Sequence, residues 1–158
     1  MDNPITPVKP PLISFTGTMH LILNDQDLAR AIPSLEAATE LGFDTETKPS
    51  FRKGEVYRVA LLQLSTPTDA FLIRLHYITQ FQSLKRIFEK ENTVKVGVAI
   101  RDDLKQLQKI FSFTPKNFVE LQSLAKTKGL KNFGLKGMTE EVLQATLTKG
   151  PKTTNWEH

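Results

Sequence analysis

At 158 residues with 39% hydrophobic content, the chain can build the core of one ordinary domain, and two full domains are not expected. There is no cysteine, which excludes disulfides and thiolate metal sites, and His20, His76 and His158 are too scattered for a zinc signature, so any metal must be held by oxygen. The balance of 21 Lys and Arg against 17 Asp and Glu suits a nucleic-acid partner without demanding one; no apolar run reaches membrane-span length and no signal-like segment opens the chain, so a soluble, cytoplasmic protein with no membrane partner is expected.

Pro4, Pro7, Pro10 and Pro11 deny the first residues their backbone donors, which predicts a flexible proline-rich tail over residues 1–13. "GTMHLIL" has strand character, and Asn24 with Asp25 can cap a following helix whose apolar positions include Leu28, Ile32 and Leu35. Asp25 and Asp27 fit capping and dipole compensation at a helix start better than metal binding. "ATELGFDTE" reads as the next strand. Beyond a loop broken by Pro49 and Gly54, "EVYRVALLQLST" is nearly continuous in apolar and β-favouring residues, which predicts a strand covered on both faces at the sheet centre. A "PTD" turn leads into "AFLIRL", so these three strands form an antiparallel meander.

The rhythm then changes to alternation. Helix "FQSLKRIFEKEN", strand "TVKVGVAI", helix "DDLKQLQKIF", short strand "NFVEL", helix "QSLAKTKG" and a last helix within "GLKGMTEEVLQATL" imply parallel additions to the sheet. The expected fold class is α/β, a mixed sheet that begins antiparallel and ends parallel, flanked by helices. Its order resembles the ribonuclease H-like fold.

Residues two apart on a strand point to the same face, so Asp44 and Glu46 project together from the end of an apolar strand. Their repulsion is relieved either by solvent or by a divalent cation, for which Mg²⁺ and Mn²⁺ prefer such oxygen ligands. Asp102 and Asp103 stand where a second strand gives way to a helix; one can cap it, and the other is open to either a structural or a ligand role. "GLKNFGLKG" places Gly129 and Gly134 at P-loop spacing, but Leu135 holds the required lysine position. Ser65, Thr66 and Thr68 have no histidine placed by sequence to activate them. Lys126, Lys128, Lys131 and Lys136 read as a solvated face or as a patch for a phosphate backbone.

Taken together, "GFDTET", "VYRVALLQLST" and "VGVAIRDDLKQL" resemble the 3′-5′ exonuclease domains of the ribonuclease D and Werner-syndrome exonuclease type, in the DEDD superfamily. The resemblance covers nearly everything after the tail, residues 14–158. By the family pattern the metal ligands and catalytic acids are Asp44, Glu46 and Asp103, with Asp102 free to act as the cap. The implied chemistry is removal of nucleotides from the 3′ end of DNA or RNA by two Mg²⁺ or Mn²⁺ ions, with Asp44 bridging both, Glu46 on the ion that carries the water and Asp103 supporting the other. Lys48, Arg52 and Lys53 of the following loop are candidates for contact with the nucleic-acid backbone, beside the plainer reading of solvated cations.

One departure from the pattern stands out. The subfamily's third motif, Tyr-x-x-x-Asp, is absent: Tyr57 is followed four residues later by Leu61, and Tyr77 by Phe81. The expectation is a domain incomplete at its C-terminus, with weak metal binding, little hydrolysis and self-association through exposed apolar surface. The rival reading is a non-catalytic nucleic-acid-binding or interaction module of the same fold.

Overall fold

The computed structural model describes residues 12–13, 17–47, 53, 58–127 and 146–147. Its strands are β1 (Leu12–Ile13), β2 (Thr18–Ile22), β3 (Glu40–Thr47), β4 (Val59–Ser65), β5 (Asp69–Arg74), β6 (Val94–Gly97), β7 (Phe118–Glu120) and β8 (Thr146–Leu147). The helices are α1 (Asp25–Ala37), α2 (Gln82–Glu89), α3 (Ile100–Gln108) and α4 (Leu121–Thr127), with a 3₁₀ turn at Leu75–Tyr77.

Six strands form one sheet in the order β2-β5-β4-β3-β6-β7. The β3-β4-β5 meander is antiparallel, as its short connections require, and β6 and β7 extend the sheet in parallel from β3. β2 joins the far edge, parallel to β5. The apolar run of β4 lies in the middle, and Val59 to Leu62 are all buried. This is the mixed α/β sheet of the ribonuclease H-like class. No helix among the described residues is long and apolar enough to cross a membrane.

Alternation along the strands divides the sheet into two unlike faces. Leu41, Phe43 and Thr45 of β3 are buried, and their register neighbours Leu64 and Leu62 on β4 and Phe71 and Ile73 on β5 continue the same side into the core. The core residues Leu28, Ile32 and Leu35 of α1, Leu84, Ile87 and Phe88 of α2, and Ile100 and Leu107 of α3 pack there. Gly42, Asp44 and Glu46 point to the other side, in line with Ser65, Gln63 and Leu61 of β4. Phe88 is the aromatic hub, with Phe43, Phe111, Phe113 and Phe118 all in ring contact.

Several local expectations change. Asn24 caps α1 by accepting the Asp27 N–H at 2.7 Å, and Asp27 in turn accepts the Leu23 N–H. Asp25 does not cap; its carboxylate takes the N–H groups of Thr79 and Gln80, tying α1 to the approach to α2. Leu12–Ile13, expected in the tail, pairs with Thr146–Leu147, so the end of the segment expected to hold a last helix is a strand. The rest of that segment, the proline-rich residues 1–11, and Lys128, Lys131 and Lys136 lie outside the described residues; Lys126 is exposed.

Lys95 of β6 is fully buried, its ammonium donating to the Lys90 carbonyl at 2.8 Å and standing 5.1 Å from the centre of the Phe118 ring. Burial, then the nearby Lys90 charge, pushes its pKa down to about 8. The unfolded chain therefore binds the proton more readily between about pH 8 and 10.5, and stability rises with pH across that window. Lys95→Met, which leaves the apolar stem in place without the charge, is expected to stabilise the protein at pH 7 by about 1–3 kcal/mol. That gain shrinks towards zero by about pH 10.5, and urea unfolding at the two pH values checks it.

Candidate active site

Strand β3 ends with its carboxylates on the face away from the helices. Asp44 and Glu46 are exposed at this end, and the pairing of β3 with β4 shifts register between Glu46 and Thr47, so that Ala60 has no opposite number. Such a bulge bends the ladder and re-aims side chains, and it occurs here beside the acids. Asp103 arrives from the helical side. It lies in the first turn of α3, which packs against β3, and the nearby Thr45 side chain favours its charged form.

The strand before α3 is shorter than the sequence suggests. It stops at Gly97, and the helix begins at Ile100, two residues before Asp102. The expected capping role of Asp102 is therefore not met. The N-cap is Ala99, in the left-handed conformation at φ 54° with no side-chain capping bond, and Asp102 is a third-position residue of the first turn, where its charge faces the positive end of the helix dipole. A left-handed alanine costs roughly 1–2 kcal/mol, so the surroundings must hold it. Gly97 wedges the same turn against β3: a Cβ there would stand 2.5 Å from the Phe43 carbonyl oxygen and equally close to Ile100 Cγ2.

The three acids share an electrostatic environment. Dehydration raises the pKa of Asp44, offset in part by the Thr45 N–H, which donates to Asp44 Oδ1 at 2.8 Å. Glu46 is raised by dehydration and then by the charges of Asp44 and Asp103. Asp103 is raised by dehydration, lowered by the Thr45 side chain, and raised again by Asp44 and Asp102. Among the described residues no cation pairs with any of the three. The donor set fits a hard divalent cation in kind, being all oxygen. Among the described residues, no three ligand-type side chains stand close enough to make a ready-formed cage, so the carboxylates would have to close in on an ion.

Folded carboxylates with raised pKa values bind protons more tightly than their unfolded counterparts, so this cluster loses stability as pH rises through and above the carboxylate range. Glu46→Gln is expected to raise the metal-free unfolding midpoint at pH 7 by up to a few degrees, the effect of one relieved exposed charge. Below about pH 3, where the acids are protonated in both states, the difference should vanish. Thermal unfolding at both pH values measures it.

Of the expected backbone-contact cations, Lys53 is exposed, while Lys48 and Arg52 lie outside the described residues. Two residues near the site carry no motif. Thr45 sits between the two acids on the core side, where alternation directs attention away from it. Glu120, the last residue of β7, accepts the Ala99 N–H with one carboxylate oxygen and the Ser123 N–H at 2.8 Å with the other. Its only sequence signal is an acid immediately before a helix.

Comparison with known proteins places these features in a family. A family profile described as 3′-5′ exonuclease matches residues 19–158. The chain is 32% identical over 124 residues to the bifunctional 3′-5′ exonuclease/ATP-dependent helicase WRN of Mus musculus, covering 75% of this chain and 9% of that protein. It is 32% identical over 123 residues to a 3′-5′ exonuclease of Arabidopsis thaliana, covering 74% of this chain and 43% of the relative. The chain thus spans less than half the length of these curated relatives. Its fold superposes on Escherichia coli RNase D with a TM-score of 0.77 at 26% identity, covering 89% of this chain and 37% of that one. With a matched family profile over nearly the whole length, the chain belongs to the 3′-5′ exonuclease family.

Proposed function

We propose that this domain removes nucleotides from the 3′ end of DNA or RNA by metal-dependent phosphodiester hydrolysis, with Asp44, Glu46 and Asp103 as the cation ligands. The observation that carries the reading is that Asp44 and Glu46 project from one face of β3 and Asp103 lies in the first turn of α3, which packs on β3, with no cation paired to any of them among the described residues. Protein folds avoid such a cluster unless a counter-charge offsets it. Family membership supports the same reaction class.

Divalent cations, Mg²⁺ or Mn²⁺ by their preference for carboxylate oxygen, supply a water of lowered pKa and stabilise charge on the phosphate. The protein's own part is to hold the ligands. Asp44 and Glu46 present oxygens from one face of β3, the Thr45 N–H fixes one oxygen of Asp44, and the Thr45 side chain orients Asp103. Lys53, with its sequence neighbours Lys48 and Arg52, provides positive charge for the phosphate backbone, and binding through them weakens with salt.

The non-catalytic alternative has less support, because a module that only binds a polyanion gains nothing from three clustered negative charges. The protein should shorten a 5′-labelled single strand progressively from its 3′ end when Mg²⁺ or Mn²⁺ is present. Chelation should stop it. A strand left intact under both metals would favour the binding module.

A further inference from the structure

The turn that delivers Asp103 is held at two points. One is Gly97, pressed against the Phe43 carbonyl immediately before Asp44. The other is Glu120, which reaches from the end of β7 to take the N–H of Ala99. No side chain of α3's own turn caps that helix, and Ala99 stands in a left-handed conformation that alanine does not adopt unaided. Both oxygens of Glu120 are engaged, since the second accepts the Ser123 N–H and so anchors the carboxylate to the start of α4. Asp103 follows Ala99 by four residues, about one helical turn.

We propose that Glu120 is a positioning residue for the exonuclease site: by clamping the Ala99 N–H it fixes the first turn of α3 and thereby the place of Asp103 beside Asp44 and Thr45. It acts through the backbone N–H groups it holds. Without the clamp, Ala99 relaxes towards an ordinary conformation, the first turn shifts, and Asp103 leaves the Thr45 side chain that orients it. The role is analogous to the outer partners that orient metal ligands elsewhere, whose loss lowers metal affinity about 10–100-fold. The metal part of this inference rests on the proposed function; the clamp itself does not.

The test compares the 158-residue chain with its Glu120→Ala and Glu120→Gln forms, and with Leu84→Ala, a core truncation on a different helix, α2. Glutamine keeps the shape but sets an amide NH₂ against one of the two backbone donors, so it is a second probe if alanine folds poorly. Without metal, amide exchange at Ala99 should quicken and the Thr45 and Asp103 resonances should move in both Glu120 variants, while Leu84→Ala leaves them in place. With Mn²⁺, the dissociation constant should rise about 10–100-fold in the Glu120 variants and stay within about twofold in Leu84→Ala. Unchanged Ala99 exchange and unmoved resonances would overturn the clamp, as would equal weakening of Mn²⁺ binding in Leu84→Ala. A wild-type chain that binds no Mn²⁺ would sink the metal reading alone, with the metal-free measurements still deciding the clamp.

Discussion

Asp44→Ala should lower 3′-end shortening about 10³-fold or more while leaving the fold intact. The size follows from the position of this acid. It belongs to the sheet's central strand pair, it shares charge with both Glu46 and Asp103, and one of its oxygens is already fixed by the Thr45 N–H. As a proposed cation ligand, Asp44 would act through the ions that activate water and stabilise charge on the phosphate, so its loss should remove most of their contribution to the rate. Stability should not fall with activity. Asp44 is exposed and dehydration disfavours its charge, so the alanine variant unfolds at the same or a slightly higher temperature. Single-turnover assays on a 5′-labelled strand, run beside thermal unfolding, separate the two effects; a variant retaining more than a tenth of the rate would remove Asp44 from the mechanism.

Phe88→Ala should have the opposite profile, a large loss of stability arising in the core. The Phe88 side chain is fully buried and meets four other rings, among them Phe43 at 6.0 Å edge to face and Phe113 at 5.0 Å. Truncating such a residue removes its burial and leaves a cavity that rings held by three other elements cannot fill, a cost of about 3–5 kcal/mol. For a domain of this size the unfolding midpoint should drop by roughly 10 °C. Phe43 immediately precedes Asp44, so loosening the hub also loosens the strand that carries the site. A urea-unfolding difference below about 1 kcal/mol would show that the aromatic cluster is not the centre of the core.

How much of this was legible in the sequence depended on how local its cause was. The pairing of Asp44 with Glu46 needed only the two-residue period of a strand, and the Asn24 cap only its place before the first turn of α1. The mixed sheet followed from the change between short connections and helical crossovers. Asp103 could be named only through the family pattern, because on spacing alone it and Asp102 were interchangeable. The capping role given to Asp102 failed for a non-local reason. The helix start is set by Gly97 packing on β3 and by a glutamate 21 residues further on that holds Ala99 in a conformation its own sequence disfavours. The burial of Lys95 was hidden in the same way, since its Lys90 carbonyl partner comes from the end of a neighbouring helix and its ring contact from β7.

The central claim is that Asp44, Glu46 and Asp103 together hold divalent cations. An electron paramagnetic resonance titration of Mn²⁺ into the 158-residue chain, alongside Asp44→Asn and Asp103→Asn forms, tests it most directly. The wild-type chain should bind Mn²⁺ saturably, with binding weakened about tenfold or more in either variant. Mn²⁺ binding of equal strength in all three proteins, or none in the wild type, would contradict it.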